Sequence, residues 1–143
     1  MSSDRHFLRK KLIQACFYLN WHAKEKPAEP EFVLDYILDN YKKENKDYPF
    51  FENLFWALVK NSEEIKNLIK KFANEDISRI SNVDKAILMT GIAEMKNMTS
   101  DMNAIMVIDE YLELTKEFSS SRSTGFINGI LNAVKDDLSG KDY

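Results

Sequence analysis

Residues 107–131 read VIDEYLELTKEFSSSRSTGFINGIL. The pattern is a helix, a serine-rich turn and a second helix. Val107, Ile108, Tyr111, Leu114 and Phe118 recur at i, i+1, i+4, i+7 and i+11, one apolar face of an α-helix. Asp109, Glu113 and Lys116 fall on the other side. After the turn, Ile127, Ile130, Leu131, Val134 and Leu138 form a second stripe. Phe126 lies roughly 90° from the centre of that stripe, at about 100° per residue. It stands one turn from Arg122 and two residues before Asn128. A large aromatic at the edge of a stripe, near a base and a helix start, is a candidate for contact with a ligand.

Working outward, the same periodicity predicts further helices. One runs from about Asp4 to Ala23, with Leu8, Leu12, Cys16 and Leu19 as its stripe. Its first half carries Arg5, Arg9, Lys10 and Lys11; its second half is apolar nearly all round. Pro30 suits the first turn of a second helix, which is expected to reach Lys43 and to bury some of Phe32, Val33, Tyr36, Ile37 and Tyr41. A third spans Pro49 to Lys60. Asn61 with Glu64 resembles a capping box opening a fourth, which bears Ile65, Leu68, Ile69 and Phe72. Ser81 with Asp84 signals another start. The helix that follows, through Lys96, spreads Ile87, Leu88, Met89, Ile92 and Met95 widely round its axis and is expected to be central. Gly91 inside it costs about 1 kcal/mol against Ala unless a neighbour needs the space. Residues 97–100 read as a loop, and Gly140 as the end of the last helix. No strand alternation and no repeat occurs. The expectation is an all-α compact bundle of about seven helices, residues 1–143 forming one domain.

Composition narrows the function. The chain has 143 residues, 44% of them hydrophobic, with four Gly and three Pro, enough for one real core. It has no apolar run of about 18 residues, so no membrane span is expected. The charged N-terminus has no apolar core of the signal-peptide type. One cysteine, Cys16, cannot make a disulfide framework and suits a reducing cytoplasm. Two distant histidines and one cysteine make no zinc set. No phosphate loop, dinucleotide fingerprint, nucleophile elbow or zinc-protease motif is present, so neither an enzyme nor a cofactor is expected. Net charge is −3, but residues 1–26 hold six Lys/Arg against two Asp/Glu. A basic start on an acidic body suggests a local anionic partner. Arg5, Arg9 and Lys10 are candidate phosphate contacts, the alternative being a solvated helix start. The serine run at 119–123 is either a phosphate nest or, more simply, a polar turn capping the last helix.

Three segments resemble the NusB family of transcription antitermination proteins. VDKAILMTGIAEM, from Val83, is similar to the family's acidic helix start and apolar helix. VIDEYLELTKEF and FINGIL resemble two consecutive family signatures, in the right order and spacing. RKKLIQACFY resembles the N-terminal family helix through Arg9 and Gln14. The chain departs from the family with Phe17 at a usual Tyr, Asp109 at a usual Asn, and Gly125 at a frequently basic position. The match is strongest at the two ends; residues 27–48 agree only in helical character.

The resemblance implies two packed helical subdomains, a partner in the ribosomal protein NusE, and joint binding of boxA-type single-stranded RNA in ribosomal RNA transcription, so that polymerase in the transcription elongation complex resists termination. It implies an RNA face including Gln14, Tyr18, Arg122, Phe126 and Asn128 together with the basic residues Arg5, Arg9 and Lys10. It also implies that Asp84 and Lys85, at an exposed helix start, face the protein partner. The competing readings are an accessory domain of the kind some ribosomal RNA cytosine methyltransferases carry, and a helical protein-interaction module without strong RNA binding.

Overall fold

The computed structural model describes residues 3–19, 29–37, 46–97 and 103–140. Helices α1 (Ser3–Leu19), α2 (Pro30–Ile37), α3 (Tyr48–Lys60) and α4 (Ser62–Ala73) are followed by a 3-10 turn (Ile77–Arg79). Then come α5 (Asn82–Asn97), α6 (Ala104–Phe118) and α7 (Ser121–Leu138). No strand occurs among the described residues. The sequence-based extensions of α1 to Ala23 and of α2 to Lys43, with Tyr41, lie outside them.

The architecture follows from α5. Its residues from Asp84 to Met95 are all buried, as expected of a helix apolar all round. It packs against α1, α3, α4, α6 and α7. On one flank α1 touches α2 and α3; on the other α7 touches α4 and α6. These are two helical subdomains sharing α5 as a common wall, over one continuous apolar core. Gly91 sits at the closest approach. A Cβ there would lie 3.3 Å from both the Tyr111 ring and Leu131 Cδ2.

The caps explain most boundaries. Ser81 Oγ accepts from the Asp84 amide at the head of α5. Asn103 Oδ1 accepts from the Met106 amide at the head of α6. Ser120 does the same for Ser123 at the head of α7. Gly140, at φ +82°, takes the left-handed conformation that ends α7. One expectation needs correction. Asn61 makes no capping box: its Nδ2 donates backward to the Ala57 carbonyl, so the side chain terminates α3 rather than opening α4. In α2, Val33, Leu34 and Ile37 are buried while Phe32 and Tyr36 remain 67% and 57% exposed. Eight residues offer one buried stripe, and these two rings lie off it.

Candidate nucleic-acid interface

The basic start of α1 divides into three environments. Arg9 is buried. Its Nε and Nη2 donate to Glu94 Oε1 and Oε2 at 2.8 and 2.7 Å, and Nη1 lies 3.8 Å from Glu110. Tyr111 Oη donates to Glu94 Oε1 at 2.9 Å, and the Phe50 ring lies 5.1 Å from the guanidinium. Burial would lower the Arg9 pKa, but the hydrogen bonds and charge of Glu94 outweigh it and the net shift is upward. Burial, then the Glu94 charge, pushes the Tyr111 phenol well up. The expectation that Arg9 contacts phosphate is therefore corrected: at 1% exposure it is the cation of a core ion pair. The signal was present in the sequence. Arg9 precedes Leu12, Ile13 and Cys16 by three, four and seven residues, which places it on their face.

Arg5 and Lys10 do reach the surface, each beside a carboxylate. Arg5 Nε donates to Asp47 Oδ1 at 3.1 Å, with its guanidinium 4.6 Å from the Phe50 ring centre. Lys10 Nζ lies 2.9 Å from Glu117 Oε1. His6 bridges Glu117 and Glu110 at 3.2 and 3.6 Å. The Lys10 hydrogen bond, with lesser help from the Lys10 charge and His6, holds the Glu117 carboxyl below its usual range. Glu117 stands two residues before the α6–α7 corner, so this contact ties the middle of α1 to the end of α6.

The outer face of α1 carries Phe7, Lys11, Gln14 and Tyr18 at spacings of four, three and four, a single stripe. Lys11 Nζ lies 5.4 Å from the centre of the exposed Phe7 ring. Tyr18 is 47% exposed and meets Tyr36 edge-on at 5.1 Å. Tyr36 in turn lies nearly parallel to Phe32, at 6.3 Å between centroids. A hydrogen bond with Tyr36 raises the Tyr18 pKa. Sequence reasoning singled out Gln14 and Tyr18 but missed Phe7, Lys11, Phe32 and Tyr36. In both cases helical spacing was the available signal: Phe7 with Lys11, and Phe32 with Tyr36, stand four residues apart.

On α7, Arg122 and Asn128 are exposed, and Phe126 is half-buried against the core. Phe126 and Asn128 are not side by side: two residues separate them by about 160° round the axis. Gly125 and Gly129 occupy the arc between them, each facing open space where a Cβ would stand. Asn128 is held by Asn132, one turn on, whose Nδ2 donates to both its Oδ1 and its carbonyl oxygen.

The expected partner-facing start of α5 is also corrected. Asp84 is buried, and its two carboxylate oxygens accept from Ser119 Oγ at 3.0 Å and Ser123 Oγ at 2.9 Å. Lys85 is 3% exposed, and burial lowers its pKa against a weaker opposing effect of Asp76. The α6–α7 corner folds back over this helix start, so both side chains belong to the interior. The serine run is thereby explained as a corner: Ser119 and Ser123 bind Asp84, and Ser120 caps α7.

No His, Cys, Asp and Glu grouping suited to a metal ion occurs among the described residues. Nor is any helix among them long and apolar enough to cross a membrane. The profile of the NusB family matches residues 7–136. This chain belongs to the NusB family. It is 31% identical to the transcription antitermination protein NusB of Bacillus licheniformis, over 94% of this chain and 98% of that one. The Campylobacter jejuni NusB is likewise 31% identical, over 92% and 96%. Among solved structures, T. maritima NusB superposes with a TM-score of 0.81 at 25% identity, covering 96% of this chain and 94% of that one. The NusB chain of a complex of NusB and NusE with double-stranded RNA gives 0.80 at 22% identity, covering 96% and 99%. The NusB helical fold is thus shared along nearly the whole length of the chain.

Proposed function

We propose that this chain is a transcription antitermination factor that binds boxA-type single-stranded RNA together with the ribosomal protein NusE during ribosomal RNA transcription. It acts in the cytoplasm by binding, not as an enzyme. The observation that carries this reading is the nearly end-to-end match to proteins named as transcription antitermination protein NusB. The related fold in a complex with NusE and RNA supports it. The RNA surface in this reading draws on Arg5, Lys10, Gln14 and Tyr18 of α1 and on Arg122, Phe126 and Asn128 of α7; the Lys10–Glu117 contact ties α1 to the end of α6, just before α7 begins. Exposed rings suit stacking on unpaired bases, each worth about 1–3 kcal/mol. Exposed cations supply the salt-dependent part of the affinity. Asp84 and Lys85 are left out of the surface for NusE because they are interior.

A protein-interaction module without strong RNA binding is the second reading. It is favoured by the carboxylates that Arg5 and Lys10 face and by Gly125 at a frequently basic position. Titration of a boxA-type RNA, with and without NusE at two salt concentrations, separates the two. An antitermination factor binds more tightly with NusE and loses affinity as salt rises; absence of RNA binding in both titrations establishes the second reading. Phe126→Ala refines the map. Loss of RNA affinity beyond any loss of stability places the ring against a base. Loss of stability alone, approaching the roughly 3–5 kcal/mol of a fully buried Phe, makes it structural.

A further inference from the structure

Asn128 and Asn132 stand one turn apart on α7, where i and i+4 side chains meet. Asn132 Nδ2 lies 2.9 Å from the Asn128 carbonyl oxygen and 2.8 Å from Asn128 Oδ1. Side-chain amides are ordinarily ambiguous between O and N. Here the backbone resolves the ambiguity. A carbonyl oxygen only accepts, so the Asn132 atom beside it is the amide nitrogen. That nitrogen has two hydrogens, one for the carbonyl and one for the neighbouring side chain. The Asn128 atom that receives the second must be its oxygen, since a nitrogen there would set two N–H groups against each other. Asn128 therefore has its oxygen held toward Asn132, with one of its two lone pairs engaged. Its exposed end is the NH2 group, which carries donors only.

We propose that Asn132 is a specificity-determining positioning residue: by engaging Asn128 Oδ1, it turns the Asn128 NH2 group outward as a donor that selects a keto base over an amino base at one nucleotide of the bound RNA. The favoured groups are uracil O4 and guanine O6; the disfavoured ones are cytosine N4 and adenine N6, which are donors themselves. The inference rests on the placement of Asn128 at the RNA surface and adds the base chemistry it selects. Composition of the helix alone would assign Asn128 either role, because a free amide both donates and accepts.

The test uses a short boxA-type single-stranded RNA in which each U is exchanged in turn for C, each C for U, each G for A and each A for G. Binding to the full chain in the presence of NusE is measured for the wild type, Asn128→Ala, Asn132→Ala and Asn132→Asp. Wild type should favour the keto base at one position by about fivefold to thirtyfold, the span of a hydrogen bond gained or left unmade. Asn128→Ala should abolish that preference and leave those at other positions. Asn132→Ala frees the amide to rotate and should bring the preference close to parity. Asn132→Asp is the decisive variant. A carboxylate only accepts, so it takes an Asn128 N–H and turns Oδ1 outward, and the preference should reverse towards the amino base. Unchanged melting temperatures confirm that these surface variants are folded. If Asn128→Ala abolishes the preference while both Asn132 variants retain it, the positioning role is overturned and the RNA function stands. If Asn128→Ala retains every preference, Asn128 lies off the RNA and the inference fails. If the wild type binds no RNA with or without NusE, the functional reading fails and takes this inference with it.

Discussion

At the scale of single residues, Arg9 is the most instructive. Charge alone suggests a phosphate contact, and helical register says otherwise, because Arg9 shares a face with Leu12, Ile13 and Cys16. The structure follows register. Glu94 from α5 and Glu110 from α6 supply the compensating charge. Taking two charges out of water costs several kcal/mol per ion, and removing one partner leaves the other uncompensated. Arg9→Met should therefore destabilise the protein by about 3–5 kcal/mol, a large part of a total of roughly 5–15 kcal/mol. The double variant Arg9→Met with Glu94→Leu should recover part of that loss: it removes the stranded Glu94 charge but leaves Glu110 without Arg9 and the Tyr111 hydroxyl without its Glu94 acceptor. Denaturant titration of both variants checks this. A single variant with wild-type stability would show that the ion pair contributes nothing.

At the scale of elements, two kinds of glycine can be told apart by what surrounds them. Gly91 of α5 faces the Tyr111 ring and Leu131, each 3.3 Å from the site of an added Cβ. These belong to packed core side chains, which have no room to retreat. Gly91→Ala should destabilise by about 1–3 kcal/mol, the usual range for overpacking, despite the gain in helix propensity. Gly129 of α7 faces open space, so Gly129→Ala should stabilise by up to about 1 kcal/mol. Thermal melts of the two variants should move in opposite directions; a shift of both in the same direction would refute the distinction. This level was largely legible in the sequence. The stripes of α3, α4, α6 and α7, the central character of α5 and the stop at Gly140 follow from periodicity and caps, except that Phe118 and Leu138, the last members of the α6 and α7 stripes, are exposed. What the sequence did not reveal depends on contacts between distant elements. Asn61 faces backward to Ala57 rather than forward, and Asp84 binds serines 35 and 39 residues away. Local spacing at Asp84 describes a helix start correctly and says nothing of the corner that covers it.

At the scale of the whole molecule, the two subdomains meet the proposed RNA surface at one acidic residue. Glu117, in the last turn of α6, holds Lys10 and His6 of α1. An RNA phosphate that uses Lys10 must compete with that carboxylate for its charge. Glu117 is therefore both a clamp between α1 and α6 and a competitor for the anion. Glu117→Gln removes the competing charge while preserving size and one acceptor oxygen for Lys10. It should raise affinity for boxA-type RNA several-fold and steepen the salt dependence by up to about one phosphate's worth, since a newly available cation releases one more condensed counterion. The stability effect should be small, because exposed pairs contribute about 0–1 kcal/mol. The pH dependence follows from the same contact. The Lys10 hydrogen bond depresses the folded-state pKa of Glu117. The clamp's stabilisation is thus complete above the ordinary carboxyl range and is lost as pH falls through the lowered folded value. In the neutral range, well above the ordinary carboxyl pKa of about 4.3, Glu117 is ionised and competes fully, so the affinity gain from Glu117→Gln should be present at neutral pH and shrink as pH falls through the lowered carboxyl value. Fluorescence anisotropy with a labelled RNA across salt and pH measures all three quantities. Equal affinities and equal salt slopes for wild type and Glu117→Gln would place Lys10 outside the RNA path and leave the α1–α6 contact with a purely structural role.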